Sequence, residues 1–146
     1  MSNINDNLFF PIKANNLKIN SYVLINNHPC KIIEMTVHKT GKHGTAKIHI
    51  IGIDIFDNTK HITFFSSSEN VMVPIINKIE YQFVSLDEEY VNIMSENDNY
   101  DVKTLKINDE DMINKLIELS KMNNNIYVTI LCAMNNEKVI DIKTKK

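Results

Sequence analysis

From Ser21 onward, the hydrophobic positions in the first half of the chain recur at every second residue. Ser21 to Ile25 alternates, and Cys30 to Val37 resumes the pattern with Ile33, Met35 and Val37 on one face. A period of two is the signature of a strand. Ala46 to Ile53 sets Ile48 and Ile50 on one side and Lys47 and His49 on the other, and Gly52 suggests a bulge. Asp57-Asn58 reads as a turn before Lys60 to Phe65, and Val71 to Pro74 closes the set. Five short strands in about 60 residues predict a small barrel.

The second half repeats the strand pattern with one interruption. Lys78 to Leu86, Tyr90 to Met94 and Val102 to Ile107 read as strands, as do Ile126 to Cys132 and Lys138 to Ile142. Between the third and fourth, Asp109 to Lys121 carries Met112, Ile113, Leu116 and Ile117 at helical spacing, with Leu119 off that stripe. Asn108, with Asp111 three residues on, is the expected N-terminal cap. Five strands with one helix between the third and fourth is the order of an OB-fold, an architecture that commonly binds nucleic acid. The expected fold class is therefore all-β, as two domains: residues 1–75 a small barrel, and residues 76–146 an OB-fold with one inserted helix.

Charge separates the halves further. Residues 1–76 hold seven Lys, five acids and all five His; residues 77–146 hold nine Lys and thirteen acids. The chain has no Arg, so phosphate recognition would rest on Lys point charges, backbone N–H groups and His. It also carries 21 Asn and 23 Ile, consistent with an A+T-rich coding bias. No run approaches the ~18 to 20 apolar residues of a membrane span, and the N-terminus lacks the order of a signal peptide, so a soluble cytoplasmic protein is expected. Cys30 and Cys132 are the only cysteines and form no CxxC pair, so both are expected as buried, reduced thiols.

The informative segment is the break between the second and third strands, His38-Lys39-Thr40-Gly41-Lys42-His43-Gly44-Thr45, followed by Lys47. Glycines flanking Lys42 and His43 would let a hairpin tip hold those side chains out into solvent. The same pattern also reads as an ordinary solvated basic hairpin. It is not a Walker A loop, because Thr36 stands where that motif needs its first Gly and His43 follows the Lys. His28, His38, His43, His49 and His61 lack HxxxH or HExxH spacing, so no metal site is expected and they read as surface or phosphate-contacting side chains. Acids are scarce near the tip, which leaves Ser66, Ser67 and Ser68 without an evident activating partner.

Lys39-Thr40-Gly41-Lys42-His43-Gly44 strongly resembles the signature of the hypusine-containing translation factors, the eukaryotic translation initiation factor 5A family. The resemblance extends to Pro29-Cys30-Lys31-Ile32-Ile33-Glu34-Met35, Gly52-Ile53-Asp54-Ile55-Phe56, Asn70, Val73-Pro74 and Val128-Thr129-Ile130-Leu131-Cys132-Ala133-Met134, covering about residues 20 to 142. It implies an SH3-like N-terminal barrel before the OB-fold and a chain that is not itself an enzyme. Lys42 would instead be the substrate of deoxyhypusine synthase, which transfers a 4-aminobutyl group from spermidine, and then of deoxyhypusine hydroxylase. No cofactor is implied beyond that modification.

By the same resemblance the chain would bind the large ribosomal subunit in the exit-site region and hold peptidyl-tRNA in position, favouring peptide bond formation at proline runs and aiding termination. The contacting loop would be Lys39, Thr40, Gly41, Lys42, His43, Gly44 and Lys47. The sequence departs from the family where Thr45 stands in place of a usual His and where Asn27 replaces a customary turn glycine. The alternative reading is a general RNA-binding module using Tyr81, Phe83, Tyr90, Tyr100 or Tyr127 as stacking platforms, against which the acidity of the second half counts. A hydrolase built on the histidines is the third.

Overall fold

A computed structural model describes residues 8–39, 46–95, 101–122 and 125–145. The chain divides into two compact units, Met1–Ile75 and Ile76–Lys146. Both are built mainly of antiparallel strands, and no helix of the described residues is long and apolar enough to cross a membrane.

In the first unit, β1 (Phe9–Lys13) precedes a 3-10 turn, Ala14–Asn16, and then come β2 (Tyr22–Ile25), β3 (His28–His38), β4 (Lys47–Asp54), β5 (Lys60–Ser66) and β6 (Asn70–Pro74). Strands β2-β3-β4-β5 form one sheet, and β1 pairs separately with β6, from Phe9 opposite Pro74 to Lys13 opposite Asn70. The chain folds into strands here because its alternation offers one apolar face to a shared core: Val23, Ile25, Ile32, Ile48, Ile50 and Val71 are all buried. Each such Ile or Val contributes about 1.5–3 kcal/mol by leaving water. Strand β2 lies against both β5 and β6, which curls the sheet towards closure.

Strand β1 has no counterpart in the alternation reading. Phe9-Phe10-Pro11 does not alternate, and Phe10 remains largely exposed. The bulge falls elsewhere than the glycine suggested. Ile32 pairs with Gly52 and Glu34 with Ile51, so the extra residue is Ile33 on β3, across from Gly52. The bulge also resets the strand's phase: Cys30 and Ile32 face the core before it and Met35 packs on the core after it, while Ile33 and Val37 are exposed. Gly52 serves close packing instead, since a Cβ there would stand 2.8 Å from Cys30 Cβ.

Asparagine does much of the turning. Five of the seven described non-glycine residues with positive φ are Asn, including the adjacent Asn26 and Asn27 at 50° and 68°. These two link Ile25 to His28, the paired ends of β2 and β3, as a two-residue hairpin turn. Asn enters this left-handed region more readily than other side-chain-bearing residues, which is why Asn27 serves where the family resemblance leads one to expect glycine.

The second unit comprises β7 (Asn77–Asp87), β8 (Tyr90–Met94), β9 (Val102–Lys106), α1 (Glu110–Met122), β10 (Ile126–Ala133) and β11 (Asn136–Thr144). Its sheet order is β11-β10-β7-β8-β9, with the helix between the third and fourth strands, as the OB-fold pattern requires. The expected all-β class, an SH3-like barrel and then an OB-fold, is the observed one.

Two helix details differ from expectation. Asp109 is the cap: its Oδ1 accepts the backbone N–H of Asp111 at 2.9 Å and of Met112 at 3.3 Å. Leu119 joins Met112, Ile113 and the fully buried Leu116 on the core, whereas Ile117, on the predicted stripe, is turned outward. Asp109→Ala is accordingly expected to destabilise the second unit by about 1 kcal/mol, and Asn108→Ala to leave it within a few tenths, in urea unfolding followed by circular dichroism.

Both cysteines are free. Cys30 is buried as expected, and its thiol is pushed up to about 12 by burial first and then by Asp54 and Asp57. Cys132 is only half-buried, with its thiol raised by burial and then by Glu137.

Candidate functional site

Strands β3 and β4 form a long antiparallel hairpin whose register runs from Cys30 opposite Asp54 to His38 opposite Lys47. Ile32, Ile48 and Ile50 anchor one face of it in the core. Towards the tip the anchoring stops: Thr36, Val37, His38 and Lys39 are all exposed, as is Lys47. Lys39 and Lys47 thus stand at the two bases of the connecting loop. Among the described residues neither has an acidic partner. Thr40, Gly41, Lys42, His43 and Gly44, the rest of the sequence-predicted site, and Thr45 lie outside the described residues.

The serine run borders this end of the hairpin. Ser67 donates its backbone N–H to Ala46 O at 2.8 Å, and Ser66 donates its own to Glu69 Oε1 at 2.6 Å. Lys13 Nζ reaches the carbonyl of Ser68 at 3.2 Å. These are the bonds of a polar turn. Strand β4 also places His49 against Phe64, with ring centroids 4.6 Å apart.

The opposite end of the same hairpin holds a group that sequence spacing does not show. His28 Nδ1 lies 3.0 Å from Asp54 Oδ2, and the rings of His28 and His61 are 4.4 Å apart at an interplanar angle of 25°. Asp54 is buried, and its Oδ1 accepts the N–H groups of Phe56 at 2.7 Å and Asp57 at 3.2 Å. Asp57 is held below the usual carboxylate range, mainly by the Thr59 hydroxyl and N–H, with His28 and His61 adding to the effect. The three residues come from β3, β4 and β5, so only pairing across the sheet brings them together. Seven register steps at about 3.3 Å put this end roughly 23 Å from the loop.

In the second unit the aromatic residues are largely committed. Tyr81 and Phe83 pack on the core, Lys103 Nζ lies 5.4 Å from the Tyr81 ring and Lys145 Nζ 4.4 Å from the Tyr127 ring. Tyr90 is exposed, and Tyr100 lies outside the described residues. Several lysines here are engaged by acids: Lys143 and Lys145 with Glu80, Lys103 with Glu137 and Lys106 with Glu89. Glu80 is held below its ordinary range by its two lysines.

Comparison with known proteins agrees in both units. Residues 9–69 match the family described as translation initiation factor 5A-like, N-terminal, and residues 75–143 match eukaryotic elongation factor 5A hypusine, DNA-binding OB fold. Eukaryotic translation initiation factor 5A-2 of Schizosaccharomyces pombe is 35% identical over 130 residues, 89% of this chain and 76% of the relative. The 5A factor of Spodoptera exigua is 37% identical over 136 residues, 92% of this chain and 84% of that one. Among solved structures, a 5A family protein from Naegleria fowleri superposes with a TM-score of 0.82 at 35% identity, covering 93% of this chain and 99% of its own. The factor from Methanococcus jannaschii gives 0.75 at 27% identity, covering 98% and 100%. With both units matched in order and relatives aligned along nearly its whole length, the chain belongs to the translation initiation factor 5A family and is a translation factor.

Proposed function

We propose that this chain acts in the cytoplasm as a non-enzymatic elongation factor on the large ribosomal subunit, near the exit site, with hypusine-modified Lys42 positioning peptidyl-tRNA. The observation that carries the reading is the core-anchored β3–β4 hairpin ending in two exposed lysines, Lys39 and Lys47, on either side of Thr40-Gly41-Lys42-His43-Gly44. A hairpin fixed at one end and cationic at the other suits insertion into an RNA crevice, where affinity comes from phosphate contacts. Modification of Lys42 by deoxyhypusine synthase, with spermidine as donor, and then by the hydroxylase would turn one ammonium into two amines on a longer, narrow stem.

Such a stem laid along the acceptor end of peptidyl-tRNA would reduce the orientational freedom lost on reaching the transition state for peptide transfer. The benefit is greatest for poor substrates such as consecutive prolines, and the same positioning would assist termination. The test is peptide mass spectrometry of the protein from its native source. We expect an aminobutyl group plus one oxygen on the peptide containing Lys42. An aminobutyl group alone would show the synthase acting without the hydroxylase and direct attention to Thr45; wholly unmodified Lys42 would overturn the reading.

A further inference from the structure

The far end of the β3–β4 hairpin gathers three ligand-type side chains with no role in the function proposed above. His28, Asp54 and His61 each present one ligand atom, and these atoms all lie within 4.8 Å of one another. Asp54 is 4% exposed, and with its Oδ1 occupied by the N–H groups of Phe56 and Asp57, its Oδ2 is the oxygen left to His28. The hydrogen bonds around His61 fix its tautomer. Thr59 Oγ1 lies 2.6 Å from Asp57 Oδ1, and because a carboxylate only accepts, the single hydroxyl hydrogen goes there. His61 Nε2, 2.9 Å from the same Oγ1, must therefore be the donor. That leaves the lone pair on His61 Nδ1.

A histidine whose second ring N–H is tied to an oxygen is the arrangement that orients and strengthens an imidazole ligand. We infer that His28, Asp54 and His61 form a binding site for a divalent transition-metal ion of the zinc class, with water completing a tetrahedral shell. Two imidazoles and one carboxylate suit such an ion. Calcium and magnesium would need about six or more oxygens, which the site lacks. With bond lengths of about 2.0–2.1 Å, the ligands of a tetrahedral ion stand about 3.3 Å apart. The His28–Asp54 separation of 3.0 Å is close to that; His28, the more exposed of the two stacked rings, would turn out of the stack to face the ion while His61 keeps its bond to Thr59.

On binding, the metal takes the place of the proton between His28 Nδ1 and Asp54 Oδ2: a neutral His28 keeps that proton as its Nε2–H tautomer, and an imidazolium, which already carries Nε2–H, releases it to solvent. The ion would fasten the start of β3 to the turn between β4 and β5, stabilising the first unit while leaving the lysine tip untouched. The site does not depend on modification of Lys42.

The test is calorimetric titration of the full-length, chelator-treated chain with Zn2+, together with Co2+ absorption and thermal unfolding. One equivalent should bind with micromolar affinity, give tetrahedral Co2+ bands without thiolate charge transfer, and raise the melting temperature. His28→Gln and His61→Gln should each weaken binding on the order of tenfold or more, and Thr59→Val by about tenfold through His61. His38→Gln and His49→Gln should bind as the parent does. The inference is overturned by no heat at hundreds of micromolar Zn2+, by parental affinity in both His28→Gln and His61→Gln, or by a Co2+ spectrum with thiolate bands.

Discussion

Lys42→Arg is expected to melt at the same temperature as the parent and to lose its stimulation of synthesis through consecutive prolines, by on the order of tenfold or more, about 1.4 kcal/mol of barrier. Stability should hold because the substitution keeps a long, charged side chain and leaves unchanged Ile32, Ile48 and Ile50, which anchor the hairpin in the core. Activity should fall because arginine keeps the positive charge, yet its guanidinium remains protonated and cannot take the aminobutyl group. Lys39→Arg is the matched control: it preserves a phosphate contact and should stay close to parental activity. The measurement is a reconstituted translation assay with modified factor on a message encoding a proline run, and full activity of Lys42→Arg would refute the mechanism.

Gly52→Ala should be the most damaging single methyl addition to the first unit. Its Cβ would meet Cys30 Cβ at 2.8 Å and Ile25 Cδ1 at 3.0 Å, and the Cys30 atom is fixed directly to the backbone of β3. Relief therefore requires moving a central strand, at a cost of about 1–3 kcal/mol. For a unit of this size that lowers the melting temperature by roughly 4–8 °C per kcal/mol. Calorimetry on the intact chain would read the shift, and an unchanged transition would show that β3 and β4 separate without resistance.

Most of the strands were legible in the sequence because burial on one face imposes a period of two, and β4 shows it from Lys47 to Ile50; beyond that, burial still alternates but falls on Gly52 and Asp54, with Ile51 and Ile53 only partly buried. The parts that escaped have local causes. Strand β1 is held by pairing with β6 and hides little of itself, so its sequence carries no alternation. The bulge at Ile33 belongs to a residue with no composition signal, while the visible glycine across from it marks close packing. Asn108 and Asp109 are adjacent and equally suited to capping, and only the hydrogen bonds distinguish them. Of the candidate site, the lysines and glycines are legible from their run in the sequence. The group of His28, Asp54 and His61 is not, because its members are 26 and 7 positions apart and meet only through strand register.

The pairing of β1 with β6 sets an order on biosynthesis. The β3–β4 hairpin closes over a short stretch of chain, whereas Phe9 finds its partner only when Pro74 has been made. A chain emerging amino-terminus first can therefore form the lysine-tipped hairpin early, but the β1–β6 pairing must wait for the last residues of the first unit. Until then the nascent factor carries the whole Lys39-Thr40-Gly41-Lys42-His43-Gly44 run on an incomplete barrel.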